Sequence, residues 1–286
     1  MLRTSAKVNL ALEVLGKRDD GYHEIATVMQ AVDLCDRLTV ETADTVSLVV
    51  SDPALPTDDG NLIVRAAAML GEAAGATKGA RITLDKHIPV AAGLGGGSSD
   101  AAATLWALNR LWGLRWSRAR LAGLAARLGM DVPFFLGTGR ALATGRGEQL
   151  EPLPGAGAYA LVLVNPNFPL STREVYGRVP AGWTAEARST RRMVEALRTR
   201  SARTVAGALA NNLESIVEPM VPVIRHMKSA LLAAGALGAV MSGSGPTVFG
   251  IARSYDHARQ IRSRVNRAGW SCWAVRTVSG RVIRAV

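Results

Sequence analysis

The sequence predicts an α+β fold built in two parts. Three observations lead there. Strand-like alternation opens the chain, with Val8, Leu10, Leu12 and Val14 on one face and Lys7, Asn9, Ala11 and Glu13 on the other. A glycine-rich run, Pro89-Val90-Ala91-Ala92-Gly93-Leu94-Gly95-Gly96-Gly97-Ser98-Ser99, separates an apolar, β-prone segment from an Ala-rich helical one. Proline and glycine concentrate again at Glu151-Pro152-Leu153-Pro154-Gly155, which marks a boundary between a part spanning 1–152 and a part spanning 153–286. A length of 286 residues fits one large domain or two of ordinary size.

The elements follow in order. A strand over Arg3–Leu15 ends in the charged turn Gly16-Lys17-Arg18-Asp19-Asp20-Gly21, and a second runs from Ile25 to Val32. Leu38–Thr42, Val46–Val50 and Ile82–Leu84 read as further strands, and Leu62–Ala74 as a helix stopped by Gly75. Ser98 or Ser99 would cap the next helix, whose Leu105, Leu108, Leu111 and Trp112 share a face. Ser117–Leu128 is helical, Pro133 fits the first turn of another helix, and Arg140–Glu148 is a turn-rich ribbon. In the second part, strands at Tyr159–Val164, Ala239–Met241, Val248–Ile251 and Trp273–Val278 alternate with helices. These start at Ser171, span Ala185–Leu209 and Val221–Ala234, and end with Ser254–Ala268.

Bulk properties narrow the function classes. The net charge is +11, which favours acidic partners such as nucleotides. Only five of the 34 basic residues are Lys, and the Arg are spread along the chain rather than gathered with aromatics, which argues against a nucleic-acid surface. Cys35 and Cys272 form neither a zinc pattern nor a disulfide framework, so a reducing, cytoplasmic setting is expected. No apolar stretch is long enough to span a bilayer, and no membrane partner is expected.

The glycine run can act as a flexible hinge or as a cradle for phosphate. Its near-absence of side chains lets an anion approach backbone N–H groups, and the following helix points its positive end there. It lacks Gly-x4-Gly-Lys-Ser/Thr, and Ser98 stands where a dinucleotide fingerprint needs Gly. A side chain at Gly96 is expected to obstruct phosphate. Three other positions have two readings each. Lys7 and Asn9 lie on one side of a strand, either solvated or functional. Tyr22 and His23 either pack an edge or hold a flat ring. Asp131 either caps the Pro133 helix or serves in a site.

In combination and in this order, Ala6-Lys7-Val8-Asn9-Leu10, the run from Pro89 to Ser99, and Met241-Ser242-Gly243-Ser244-Gly245-Pro246-Thr247 resemble the three motifs of the GHMP kinase superfamily. Asp20-Gly21-Tyr22-His23, Asp33-Leu34-Cys35-Asp36, Gly129-Met130-Asp131-Val132-Pro133-Phe134-Phe135 and Gly145-Arg146-Gly147-Glu148 are similar to the branch that phosphorylates the 2-hydroxyl of a CDP-linked methylerythritol in the non-mevalonate isoprenoid route. The resemblance runs from residue 3 to about residue 252. It implies a ribosomal-S5-like first domain, a ferredoxin-like second domain, and a cleft between them that binds ATP with Mg2+ and the CDP-linked substrate.

Carried over residue by residue, it implies Asp131 as catalytic base with Lys7 as partner. Pro89 to Ser99 would wrap the ATP phosphates, with Ser99 and Asp100 the side chains nearest the metal and no metal ligand assigned. Tyr22 and Tyr176 would sandwich the cytosine, His23 would bond its edge, and Asn9 would hold the sugar-alcohol end. Gly243 to Thr247 would pack on the phosphate loop. A homodimer is compatible with this pattern. Cys35 and Asn212 depart from the family's usual residues, where an aromatic and an Asp are expected.

Overall fold

The computed structural model describes residues 1–75, 78–154, 157–266 and 269–285. The first sheet is built from β1 (Leu2–Lys17), β2 (His23–Ala43), β3 (Val46–Val50) and, after α1 (Leu62–Ala74), β4 (Gly79–Asp85). Then come α2 (Gly96–Leu111), α3 (Arg118–Leu128), the single turn α4 (Val132–Phe135), and the ribbon β5 (Arg140–Thr144) and β6 (Gln149–Pro152). The second part runs β7 (Ala160–Asn165), α5 (Thr172–Gly177), α6 (Arg188–Arg198), α7 (Ala202–Ala206), β8 (Ala210–Asn211), α8 (Glu214–Met220) and α9 (Val223–Ala233). It closes with β9 (Gly238–Met241), β10 (Val248–Ala252), α10 (Tyr255–Val265), β11 (Ser271–Arg276) and β12 (Ile283–Ala285).

Two sheets result. The larger has the path β12-β1-β2-β4-β3, with β5 also paired to β2 and β8 to β1; the smaller has the order β11-β7-β10-β9. One face of the large sheet packs Met29, Leu38, Ile82 and Leu84 against Ile63, Leu105, Leu108 and Phe134 of the helices. The other face brings Val8 and Leu10 of β1 onto Leu161, Leu163 and Phe249 of the small sheet, with Met193 and Leu197 of α6. Beyond the small sheet, Val162 and Val248 meet Met227 and Leu231 of α9 and Ile261 of α10. Strand β1 is thus covered on both sides.

Local chemistry sets the ends. The Asn61 side chain accepts from Ile63 N to start α1, and Gly75 ends it in the left-handed region, as the sequence suggests. Ser117, Ser171 and Ser254 cap α3, α5 and α10 in the same way. Four expectations need correction. The strands expected at Ile25–Val32 and Leu38–Thr42 are one strand, because the register jumps from Ser5↔Cys35 to Ala6↔Val32 and absorbs Asp33 and Leu34 without breaking the pairing. Helix α2 begins at Gly96, capped by left-handed Gly95, so Ser98 and Ser99 lie inside its first turn instead of at its cap. The helix expected over Ala185–Leu209 is two, broken at Arg200 (φ +56), after which Ser201 caps α7. The short strands β8 and β12, both paired to β1, were not anticipated. Gly155 of the expected boundary, and Arg267 and Ala268 of the last expected helix, lie outside the described residues.

Candidate active site

The site begins on β1, on the side that alternation left open to solvent. Lys7 and Asn9 are 4% and 2% exposed there, because the glycine loop and the Gly243 turn cover them. Lys7 N donates to Leu94 O at 2.9 Å. Its side chain passes beneath Gly95, where an added methyl would stand 3.1 Å from Lys7 Cγ and 2.9 Å from Phe135 Cζ. Lys7 Nζ donates to Asn9 Oδ1 at 2.7 Å and lies 3.4 Å from Asp131 Oδ2. Asn9 Nδ2 in turn donates to Thr27 Oγ1, which donates to Ala11 O, so each orientation is fixed by the next residue. A methyl at Gly243 would stand 3.3 Å from both Lys7 Nζ and Asn9 Oδ1.

Asp131 sits at the head of α4 with a helical backbone (φ −83) and makes no capping bond with its side chain. Its carboxylate is one-third exposed and faces Lys7. The capping reading of Asp131 is therefore set aside.

The loop and the last motif form one packed unit. Gly93 and Gly95 are left-handed (φ +75 and +69), as is Ala91 (φ +50). Ser242 Oγ donates to Gly93 O at 2.9 Å, and Thr247 N reaches Ala92 O at 3.3 Å. Asn211 Nδ2 holds the turn from below, donating to Met241 O and Gly243 O. Sequence reasoning gave Asn211 no role.

Loop and β1 border a cleft of about 1300 Å³. Pro89, Val90, Ala91, Ala92, Gly93, Gly95, Gly96, Gly97 and Ser98 line it. Leu94 and Ser99 face inward: Leu94 is in the core, and Ser99 Oγ donates to Ser5 O at 2.7 Å beside the Thr4 hydroxyl. Asp100 is turned onto Lys86. The α-carbon of Gly96 also points inward, towards Ile88 and Lys86, so a side chain there would meet the protein before any ligand.

Tyr22, His23 and Tyr176 line the same cleft. His23 and Tyr176 are the close ring pair, with centroids 5.4 Å apart and planes tilted by 45°. Tyr22 is half exposed and carries the Arg146 guanidinium 5.0 Å from its ring centre. Burial, and then Lys17, holds the His23 imidazole below its ordinary value of 6.5. Burial first, and the charge of Asp131 second, raise the Tyr176 phenol. A third stretch of wall, made of Leu55, Pro56, Asn61, Leu62 and Lys86, was missed. Asn61 is legible as the turn residue that starts α1 but not as part of a wall, and Leu55-Pro56 carries no periodic signal.

Comparison with known proteins identifies the family. The family model described as GHMP kinases N terminal domain matches residues 61–139, and that described as GHMP kinases C terminal matches 193–271. A 4-diphosphocytidyl-2-C-methyl-D-erythritol kinase from Pelotomaculum thermopropionicum is 47% identical, over 97% of this chain and 97% of the relative. The chain belongs to the 4-diphosphocytidyl-2-C-methyl-D-erythritol kinase family.

A second member of this kinase family, from Symbiobacterium thermophilum, is 46% identical over 96% of this chain and 98% of its own. A solved 4-(cytidine 5'-diphospho)-2C-methyl-D-erythritol kinase superposes with a TM-score of 0.83 at 38% identity, covering 98% of this chain and all of that one. Homoserine kinase from Cytophaga hutchinsonii shares the fold, with a TM-score of 0.80 at 21% identity over 100% of this chain and 96% of that one. The two-domain GHMP kinase fold expected from the motifs is thereby shown. No helix among the described residues is long and apolar enough to cross a membrane.

Proposed function

We propose that the protein transfers the γ-phosphoryl group of ATP to the 2-hydroxyl of 4-diphosphocytidyl-2-C-methyl-D-erythritol, giving the 2-phosphate and ADP. The observation that carries this reading is the Lys7–Asp131 contact of 3.4 Å, on a wall shared by the Gly93–Gly97 loop and the His23–Tyr176 pair. The aromatic end suits a flat pyrimidine, with the sugar-alcohol reaching towards Lys7, Asn9 and Asp131. The apolar wall at Leu55, Pro56 and Leu62 suits the adenine of ATP, with the phosphates at the N-terminus of α2. In this reading residues 1–152 bind ATP and 153–286 complete the substrate side.

Phosphoryl transfer is mainly positioning and charge stabilisation through a loose transition state. The hydroxyl need lose its proton only late, so an ionised Asp131 accepts it adequately. Lys7 Nζ, 3.4 Å from that carboxylate, offers its ammonium to the charge on the transferring group. Asn9 fixes the Lys7 ammonium, and the N–H groups of Gly95 to Ser98 receive the phosphate oxygens.

The expected Mg2+ would neutralise charge on the β- and γ-phosphates when bound. The residues fit a metal that arrives with the nucleotide. No group of three His, Cys, Asp or Glu among the described residues could cage it, and such ions often need only one or two protein oxygens. Ser98, which lines the cleft, is the loop hydroxyl suited to that role; Ser99 and Asp100 are engaged elsewhere. Chelation with EDTA is therefore expected to abolish turnover while leaving the melting temperature of the nucleotide-free protein unchanged. A fall in that temperature would point to a metal resident in the fold. The two free thiols, Cys35 and Cys272, fit a cytoplasmic setting.

A panel of acceptors tests the assignment. Phosphorylation of mevalonate or homoserine, but not of the CDP-linked polyol, would overturn it. The cytosine contact also carries a pH expectation. His23 is held neutral by burial, so the KM for the CDP-linked substrate should stay level above pH 6.5 and rise only below it. The same profile in a His23→Phe variant would remove His23 from the contact.

A further inference from the structure

The segment Asp33-Leu34-Cys35-Asp36 has no part in the chemistry above, yet its last residue is fully buried beside the phosphate loop. Asp36 Oδ1 accepts from His87 N at 2.6 Å and from Ile88 N at 2.8 Å, the residues that lead into the loop. Asp36 Oδ2 accepts from Lys86 Nζ at 2.6 Å. The same ammonium donates to Asp100 Oδ2 at 2.7 Å, and Asp100 lies one turn into α2, just past the loop's exit. All three side chains are at least nine-tenths buried. A methyl built on Gly96 would stand 2.9 Å from Lys86 Nζ, which sets the ammonium directly under the first residue of α2.

We propose that Lys86 is a positioning residue for nucleotide binding, its ammonium tying Asp36 on β2 to Asp100 on α2 and so fixing both ends of the phosphate loop. The proposal rests on reading that loop as the ATP cradle. Phosphate recognition by backbone N–H groups depends on their mutual spacing, and shifts of about 1 Å in such positions cost large factors. The middle of the loop is held by Lys7 N, Ser242 and Thr247; its two ends are held by the groups that bond Asp36 and Asp100. Asp33 serves the same strand differently: its Oδ1 accepts from Arg276 N at 2.8 Å and anchors the small sheet.

Electrostatics fits a shared restraint. Burial lowers the Lys86 ammonium, but Asp100 and Asp36 outweigh it and hold it above its ordinary value. Asp100 Oδ1 makes no hydrogen bond among the described residues, so one carboxyl oxygen alone carries the tether to α2. An amide at this position would keep that oxygen.

The test is steady-state kinetics and ATP affinity on Asp100→Leu, which leaves one carboxylate per buried ammonium and so avoids an uncompensated charge. The KM for ATP should rise about tenfold or more, with the KM for the CDP-linked substrate and kcat at saturation changed by less than about threefold. Asp100→Asn should restore the ATP KM to within about threefold of wild type. Should Asp100→Leu not fold, Asp100→Ala, which also leaves Asp36 as the single counter-charge of Lys86, removes the tether to α2 and carries the same expectation. A wild-type ATP KM in the folded variant, or a parallel rise in both KM values, overturns the proposal. Failure of the wild-type protein to bind ATP would instead overturn the cradle on which it rests.

Discussion

Replacing Asp131 by Asn is expected to lower kcat by roughly 10²–10⁴-fold, the usual contribution of a positioned general base, with little change in ATP affinity. The amide keeps the shape of the side chain but cannot take the proton of the attacking hydroxyl. Lys7 loses its counter-charge but keeps its 2.7 Å bond to Asn9, and the loop contacts that hold it are untouched. Binding of ATP should survive, because the loop lies on the other side of Lys7. Asp131 makes no capping bond, so any fall in melting temperature should come only from leaving the buried Lys7 ammonium without its counter-charge. Single-turnover measurements with saturating substrates check the rate, and titration calorimetry checks the affinity. Turnover near wild type would remove Asp131 from the base role.

Gly93→Ala is expected to be more damaging than any other single methyl added to the loop. The residue is left-handed, which costs a non-glycine residue about 1–2 kcal/mol. The added carbon would stand 2.1 Å from Ser242 O, a backbone atom that cannot swing aside. The loop and the Ser242–Thr247 turn would have to separate, breaking the Ser242–Gly93 and Thr247–Ala92 bonds. A lower melting temperature and at least a tenfold loss of ATP affinity should appear together. Gly97→Ala is the comparison: its methyl meets only Leu62 Cδ1, at 3.6 Å, and its backbone is ordinary helix. That variant should fold normally and lose ATP affinity only through obstruction of the phosphates. Equal stability in both variants would refute the clash at Gly93.

These contrasts show what the sequence could and could not reveal. Alternation along β1 put Lys7 and Asn9 on one side, and that is where they are, but the register shift between Asn9 and Ala11 reverses the faces beyond it, so Ala11 joins Val8 and Leu10 while Leu12 lines the cleft. Alternation could not say that the Lys7 side is buried, because burial depends on cover from residues near 93 and 243, far along the chain. The proximity of Asp131 to Lys7 has no periodic trace either; resemblance of motifs supplied it. Caps written as Asn61, Ser117 and Ser171 were readable because a side-chain oxygen next to a helix is a local signal. The break at Arg200 was not, since nothing in an arginine marks the exposed left-handed turn (φ +56), bonded back to Leu197 O, that ends α6. The expected obstruction at Gly96 points inward for the same kind of reason: the direction of its α-carbon is set by the turn at Gly95, not by its neighbours in sequence.

Strands β8 and β12 come from the second part of the chain yet hydrogen-bond to β1, and Val8 and Leu10 share their core with Leu161 and Phe249. Swinging the two halves apart would therefore tear a continuous sheet and unpack an apolar layer. Hinge-like gaping, a common way for kinases to admit substrate, is closed to this molecule. Entry and exit of ligands fall instead to the rim of the cleft, where Tyr22 and Val90 are half exposed.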